Sequence, residues 1–324
     1  MKNSKRGVIL LAAMLLVSSA LVWAAGQAEG KGGGADYPSQ PIQFIVPANP
    51  GGGTDIGARL LAKYLKEEIG TDIIITNMDG AGGTVASSYV AEAKPDGYTL
   101  LYQHESFVAN RVFGLSDLDL RTLSTAGGSF EVDTVCLFSK DIGSWDELVR
   151  IASKERVILG TEVGTAFHIV FEAIKDRSGL ENLKFVDTGA VTPTLAALEG
   201  GHIDIALSPL GVIRDQVKSG HYKVLALTSA KERSSFVPDV PTLSELGVDV
   251  YMPKFFFQAF PPKTPEHIVG TFREALKRVM ENPEFIAEGE ALFYKTAYIS
   301  PEELYGMEQA AFDILSIYAP LIME

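Results

Sequence analysis

The amino-acid sequence predicts an α/β fold of two lobes, each a mostly parallel sheet flanked by helices, with two crossover segments joining the lobes. From Ile42 onward, short apolar runs alternate with stretches of helical period, and this alternation indicates parallel strands covered by helices on both faces. A single sheet holding all of these runs would be large, and a chain of 324 residues is long enough for two domains. Two smaller α/β domains are therefore expected.

The predicted strands are short runs rich in apolar and β-branched residues. They lie at Ile42–Val46, Ile73–Ile75, Tyr98–Tyr102, Val157–Leu159, Leu183–Val186, Ile203–Leu207 and Val224–Thr228. The helices predicted between them each have one apolar face. Two of these faces consist of Ile56, Leu60, Leu61, Tyr64 and Leu65, and of Phe167, Val170, Phe171 and Ile174.

Two apolar runs, Asp133–Ser139 and Phe255–Phe260, lie outside the regular alternation and are our candidates for the two crossover segments. With these two crossovers, lobe 1 is expected to comprise residues 37–130 and 256–324, and lobe 2 residues 131–255.

The N-terminus has the pattern of a secretory signal peptide at residues 1–24. A basic start with Lys2, Lys5 and Arg6 precedes an apolar run, and small residues then place cleavage after Ala24. The alternative is a membrane anchor, but the run is too short to span a bilayer comfortably. Glycine-rich residues 25–36 are expected to be a flexible leader.

The net charge and the single cysteine exclude several kinds of partner and covalent modification. The formal net charge of −13 argues against nucleic acid or an anionic membrane surface as partner, although a local pocket can still attract a small anion. Cys136 is the only cysteine, so an exported chain would have no internal disulfide. No cysteine near Ala24 is available to carry a lipid.

The segment from Pro47 to Asp55 is glycine-rich, follows a predicted strand and opens a predicted helix. Glycines allow close backbone approach, and the amides at a helix N-terminus attract anions. The segment lacks the Gly-Lys-Ser/Thr of a nucleotide-binding P-loop and the pattern of a dinucleotide-binding loop. A simple strand-to-helix turn is an equally good interpretation of this segment alone. Its candidate ligand-binding residues are Asn49, Gly52, Gly53, Thr54 and Asp55.

Two further turns repeat this arrangement. After the next strand come Ala81, Gly82, Gly83 and Thr84, and in the second lobe come Gly164 and Thr165. Ligands of open α/β sheets bind at the edge where such turns converge, so several amides could hold one carboxylate. Phe167 is expected in the core or pocket wall, and His168 is expected to be structural.

The sequence contains no motif that indicates an enzyme. The five histidines have no metal-ligand spacing, and no nucleophile motif is present. His104, Glu105 and Ser106 form a polar cluster, but adjacent residues of an extended strand face apart and could not form a relay. His104 is expected to line the pocket, where a protonated ring would add positive charge. Packing without ligand contact is the alternative.

The chain resembles the substrate-binding proteins of tripartite tricarboxylate transporters, the Bug family, from Tyr37 to about Tyr318. The motifs that carry the resemblance occur in the family's order at Tyr37–Ile42, Pro50–Asp55, Gly80–Gly83, Lys94–Leu101, Leu198–Asp204, Ala226–Ser229 and Pro238–Leu243. The family pattern is not kept at Ala48 and Asn49, at Gln103–Glu105, at Ala166 and Phe167, or at Asp187–Ala190.

The resemblance implies a type II-like periplasmic binding protein that closes over a small carboxylate. It places the ligand against Asn49–Asp55, Ala81–Thr84 and Gly164–Thr165, and we add Gly189, Ser208 and Phe256 as candidates. We expect a periplasmic monomer without cofactor, metal or nucleic acid as partner. The resemblance implies that this protein delivers its ligand to the integral-membrane permease subunits of a tripartite transporter. A sensor that signals through a membrane partner is the alternative, with an enzyme third.

Overall fold

The structure is a computed structural model that describes residues 37–230 and 232–320. The signal peptide expected at residues 1–24 and the leader expected at residues 25–36 lie outside the described residues. From Gln40 onward the described chain forms one unit containing two β-sheets with flanking helices.

The first sheet has the strand order β11-β4-β10-β3-β1-β2. Strand β1 pairs in parallel with β2 and β3, whereas β10 runs antiparallel to both β3 and β4, and β11 runs antiparallel to β4. Its strands are β1 (Ile42–Val46), β2 (Ile73–Asn77), β3 (Thr99–His104), β4 (Ser124–Val132), β10 (Lys254–Phe260) and β11 (Lys295–Ile299).

The second sheet has the order β7-β6-β8-β5-β9. Strand β6 pairs in parallel with β7 and β8, and β5 runs antiparallel to β8 and β9. Its strands are β5 (Val135–Ser139), β6 (Val157–Thr161), β7 (Leu183–Asp187), β8 (Ile205–Pro209) and β9 (Lys223–Leu227).

Helices follow most of the parallel strands, as expected for α/β connections. They are α1 (Gly53–Ile69), α2 (Thr84–Ala91), α3 (Ser106–Val112), α4 (Trp145–Ala152), α5 (Ala166–Ser178), α6 (Val191–Glu199), α7 (Leu210–Lys218), α8 (Glu266–Glu281), α9 (Pro283–Ala291) and α10 (Pro301–Tyr318), with a 3₁₀ turn at Ala81–Gly83 before α2. Among residues 37–230 and 232–320, no helix combines the length and apolar character needed to cross a membrane.

The two-lobed α/β class is confirmed, but the sheets are mixed and not mostly parallel. The two apolar runs proposed as crossovers are the strands β5 and β10, which lie inside their sheets between two neighbours. Burial on both faces explains why both runs are continuously apolar. The chain instead passes between the sheets at residues 133–134 and 228–253.

Candidate functional site

A cavity of about 70 Å³ lies between the two sheets and is lined by residues from both. One water needs roughly 10–15 Å³ of such space, so the cavity is large enough for more than one water-sized group. A cavity of this size suits a small metabolite.

Five helices of the described chain begin at the wall of this cavity, among them α3 with Ser106 and α7 with its N-cap Pro209. The start of α1 contributes Gly52, Gly53 and Thr54, the start of α5 contributes its N-cap Thr165, and the start of α6 contributes Val191. The first amides of a helix have no acceptor within the helix, and the helix dipole makes this end positive. The wall therefore favours a negatively charged group without needing a cationic side chain.

The loop before α1 is held in shape by Asp55, which is buried and does not line the cavity. Its carboxylate accepts hydrogen bonds from the Gly51 amide, Arg59 Nε and Asn77 Nδ2, each at 2.9 Å. Burial opposes the ionisation of Asp55, but these bonds and the charge of Arg59 outweigh it, so its pKa lies below the ordinary value. Asp55 therefore positions the loop, while Asn49 lines the cavity and bonds to Asp79.

The second glycine-rich turn, with Ala81, Gly82, Gly83 and Thr84, lies outside the cavity lining. Gly82 packs against Asn110 and against Gly164 of the second lobe. The Gly82 amide donates to Glu162 Oε1 of the second lobe at 3.1 Å. A Cβ on Gly83 would lie 2.5 Å from Gln103 Nε2. These glycines permit close approach within the protein, and a role in ligand binding stays a prediction.

In the third turn, Thr165 caps α5 by accepting a hydrogen bond from the His168 amide. Gly164 lies outside the lining and donates to His168 Nδ1 at 3.4 Å. His168 stacks on Phe185 with ring centroids 4.1 Å apart. Burial lowers the pKa of His168 to about 4, so the ring is neutral and belongs to the packing, as expected.

His104 and Glu105 both line the cavity, although the sequence argument placed adjacent residues on opposite faces. That argument was wrong because β3 ends at His104, and Glu105 already has helical backbone angles as the N-cap of α3. His104 Nδ1 lies 3.5 Å from Glu105 Oε2 and accepts from the Ser106 amide at 3.3 Å.

Lys254, at the start of β10, forms a buried ion pair with Glu105. Its Nζ lies 3.2 and 3.3 Å from the two carboxylate oxygens, and the rings of Phe167 and Phe256 lie 5.6 and 5.2 Å from it. Burial lowers the pKa of His104 and the nearby Lys254 charge adds to this, outweighing the opposite effect of Glu105. The expected protonated His104 is thus disfavoured at neutral pH.

Three candidates from the sequence remain. Gly189 lines the cavity before α6, with a φ of 75° that favours glycine. Ser208 is fully buried in β8 and donates to the Pro209 carbonyl. Phe256 packs among core aromatic rings, with its centroid 5.5 Å from that of Tyr102. Neither Ser208 nor Phe256 lines the cavity.

Comparison with known proteins identifies the family. Residues 57–293 match the family described as "Tripartite tricarboxylate transporter family receptor". The chain belongs to this family. The receptors of this family bind substrates and are not enzymes.

Individual relatives agree with this assignment. A UPF0065 protein of the TAR-I ttuE-ttuC' intergenic region of Agrobacterium vitis is 31% identical over 282 residues, covering 85% of this chain and 79% of that protein. The periplasmic binding protein BugD has a TM-score of 0.80 at 25% identity, covering 89% of this chain and 98% of that one. R. palustris Rpa4515, solved with adipate, has a TM-score of 0.80 at 25% identity, covering 88% and 98%.

The receptor's cavity also contains residues that the sequence analysis did not select as ligand-binding. Glu105, Glu162 and Lys254 line it. Lys254 could have been selected because a lysine at the start of an otherwise apolar strand is unusual. Glu162 could have been selected because it directly follows the strand β6, at the sheet edge where ligands bind. Within residues 37–230 and 232–320, no group of three or more His, Cys, Asp or Glu side chains could hold a metal ion.

Proposed function

We propose that this receptor captures a small carboxylate-bearing metabolite between its two lobes outside the cytoplasm and delivers it to integral-membrane permease subunits of a tripartite transporter. In this proposal residues 1–24 direct export to the periplasm and are removed near Ala24. The protein acts as a monomer and uses neither cofactor nor metal.

The convergence of several helix N-termini, among them those of α1, α5 and α6, on one small cavity is the observation that carries this proposal. A carboxylate there would accept hydrogen bonds from amides that have no acceptor inside their own helices. The adipate complex of the related Rpa4515 supports a carboxylate ligand, because adipate carries a carboxylate at each end.

Contacts between the lobes support a closing mechanism. The Gly82 amide donates to Glu162, and the Ala166 amide donates to Ser106 Oγ at 3.4 Å. A ligand that touches residues of both lobes adds to such contacts only in the closed form, and it therefore shifts the open–closed equilibrium toward closure. The permease subunits would then recognise the closed form.

A thermal-shift screen of mono-, di- and tricarboxylates and amino acids, followed by calorimetry, tests the proposal. A ligand at 100 times its Kd stabilises the folded state by about 2.7 kcal/mol, so a binder should raise the melting temperature clearly. If no carboxylate raises it, the proposal fails.

The variant Gly53→Val tests whether the ligand binds in the cavity between the lobes. An added Cβ there would lie 3.2 Å from Pro209 Cγ of the second lobe, so we expect binding at least tenfold weaker, about 1.4 kcal/mol. Gly306→Val, in helix α10 with no atom within 4 Å of the added Cβ, is the matched control and should bind like the wild type.

A further inference from the structure

Glu162 is a carboxylate at the cavity wall without a cationic partner. It directly follows β6, and its Oε1 accepts one hydrogen bond from the Gly82 amide at 3.1 Å. In the described part of the chain, no lysine, arginine or histidine forms an ion pair with it. Its charged neighbours Asp79 and Asp187 are themselves acidic.

Among the described residues, the other charged side chains that line the cavity do not neutralise Glu162. Lys254 is held by both oxygens of Glu105. His104 is neutral at physiological pH, because its pKa lies below the ordinary value through burial and the Lys254 charge. The titratable side chains that line the cavity thus comprise one neutralised pair, one neutral histidine and one uncompensated carboxylate.

This pattern suits a ligand that is not purely anionic. The helix N-termini favour a carboxylate, whereas a second ligand carboxylate near Glu162 would meet a like charge with no cation to offset it. A protonated amine on the same ligand would supply the missing positive charge through a charge-assisted hydrogen bond.

We propose that Glu162 binds the ammonium group of an amino-carboxylate ligand whose carboxylate lies against the N-termini of α1, α5 and α6. The inference rests on the proposed receptor function and narrows its ligand class from carboxylates in general to those carrying an amine. Burial, together with Asp79 and Asp187, raises the pKa of the unliganded Glu162 carboxyl group, and pairing with a cation would relieve this unfavourable charge.

Calorimetry with matched ligand pairs tests the inference. The probes are glutamate against glutarate and 4-aminobutyrate against butyrate, each pair differing only by the amine. We expect the better amine-bearing probe to bind the wild type at least tenfold more tightly than its counterpart. Glu162→Gln should reduce that ratio to about twofold or less, while Glu181→Gln, at an exposed position outside the cavity, should keep it. Urea unfolding of each variant checks that it is folded.

The pH dependence separates this inference from its main competitor, in which a protonated Glu162 donates to a ligand carboxylate. Pairing with an amine requires charged Glu162, so affinity should fall as pH drops through the raised pKa of its carboxyl group. Affinity that instead rises on acidification, or glutarate and butyrate binding as tightly as the amines, overturns the inference but leaves the receptor function intact. Absence of binding by all four probes and by the wider carboxylate screen overturns both.

Discussion

Among the described residues, Glu105 and Glu162 are the two carboxylates that line the cavity, and they differ in whether a cation is paired with them. Glu105 is almost fully buried and is neutralised by Lys254. Glu162 is half-buried and receives one amide hydrogen bond but no cation among the described residues.

The pKa directions follow from this difference. Burial opposes ionisation of Glu105, but Lys254 and His104 outweigh it, and its pKa lies below the ordinary value. Burial also opposes ionisation of Glu162, where the Gly82 amide does not compensate and the acidic neighbours add to the effect, so its pKa lies above the ordinary value. The charge of Glu105 is thus neutralised within the protein by Lys254. The charge of Glu162 has no such partner among the described residues, and a positively charged group on a ligand could provide one.

The largest effect should come from breaking the neutralised pair. We expect Lys254→Met to lower the free energy of unfolding by about 3–5 kcal/mol, because it leaves the buried Glu105 charge uncompensated. Urea unfolding at neutral pH measures this.

The matched control is the double variant Lys254→Met with Glu105→Gln, which removes both charges. It should recover most of the lost stability, since a neutral amide costs much less to bury than a lone carboxylate. A single variant as stable as the wild type would show that Glu105 carries no charge in the folded protein, against our account.

Glu162→Gln should have a smaller effect of the opposite sign. A raised folded-state pKa means that ionised Glu162 reduces stability above its ordinary pKa of 4.5, and the penalty disappears as pH falls below that value. We expect the unliganded variant to be more stable than the wild type at pH 8, on the order of 0.5 kcal/mol, and equal to it near pH 3. Chemical unfolding at both pH values measures the difference, and a clear loss of stability at pH 8 would contradict the unpaired state of Glu162.

The smallest effect concerns His104, beside Glu105. Since burial and then Lys254 lower its pKa below the ordinary value, the ring should stay neutral between about pH 7 and 8. We therefore expect the wild type and His104→Gln to show the same pH profile of ligand affinity across this range. Affinity profiles of the two proteins that diverge between about pH 8 and pH 7 would support the charged His104 that the sequence suggested.

Much of the fold could be predicted from local sequence. All seven predicted strands overlap observed ones, and β1 agrees at both ends. Strand β4 was missed because Gly127 and Gly128 weaken its β-sheet pattern. Their lack of side chains is required by packing, since a Cβ on Gly128 would lie 2.9 Å from the Phe256 carbonyl oxygen.

The part of the candidate site that local sequence predicted lies at helix starts, or just before them as at Asn49, His104 and Gly189. Gly52, Gly53, Thr54 and Thr165 are of this kind, and they line the cavity. The pairing of Lys254 with Glu105 joins residues 149 positions apart, and the Gly82 contact with Glu162 joins the two lobes. Such contacts are set by tertiary packing, so local patterns do not contain them.

The most direct test of the central claim is a crystal structure with the tightest carboxylate from the screen. The account predicts a ligand carboxylate oxygen within about 3 Å of an amide nitrogen at the start of α1, α5 or α6, inside the cavity between the lobes. A ligand bound outside this cavity, or one whose carboxylate contacts none of these helix starts, would contradict it.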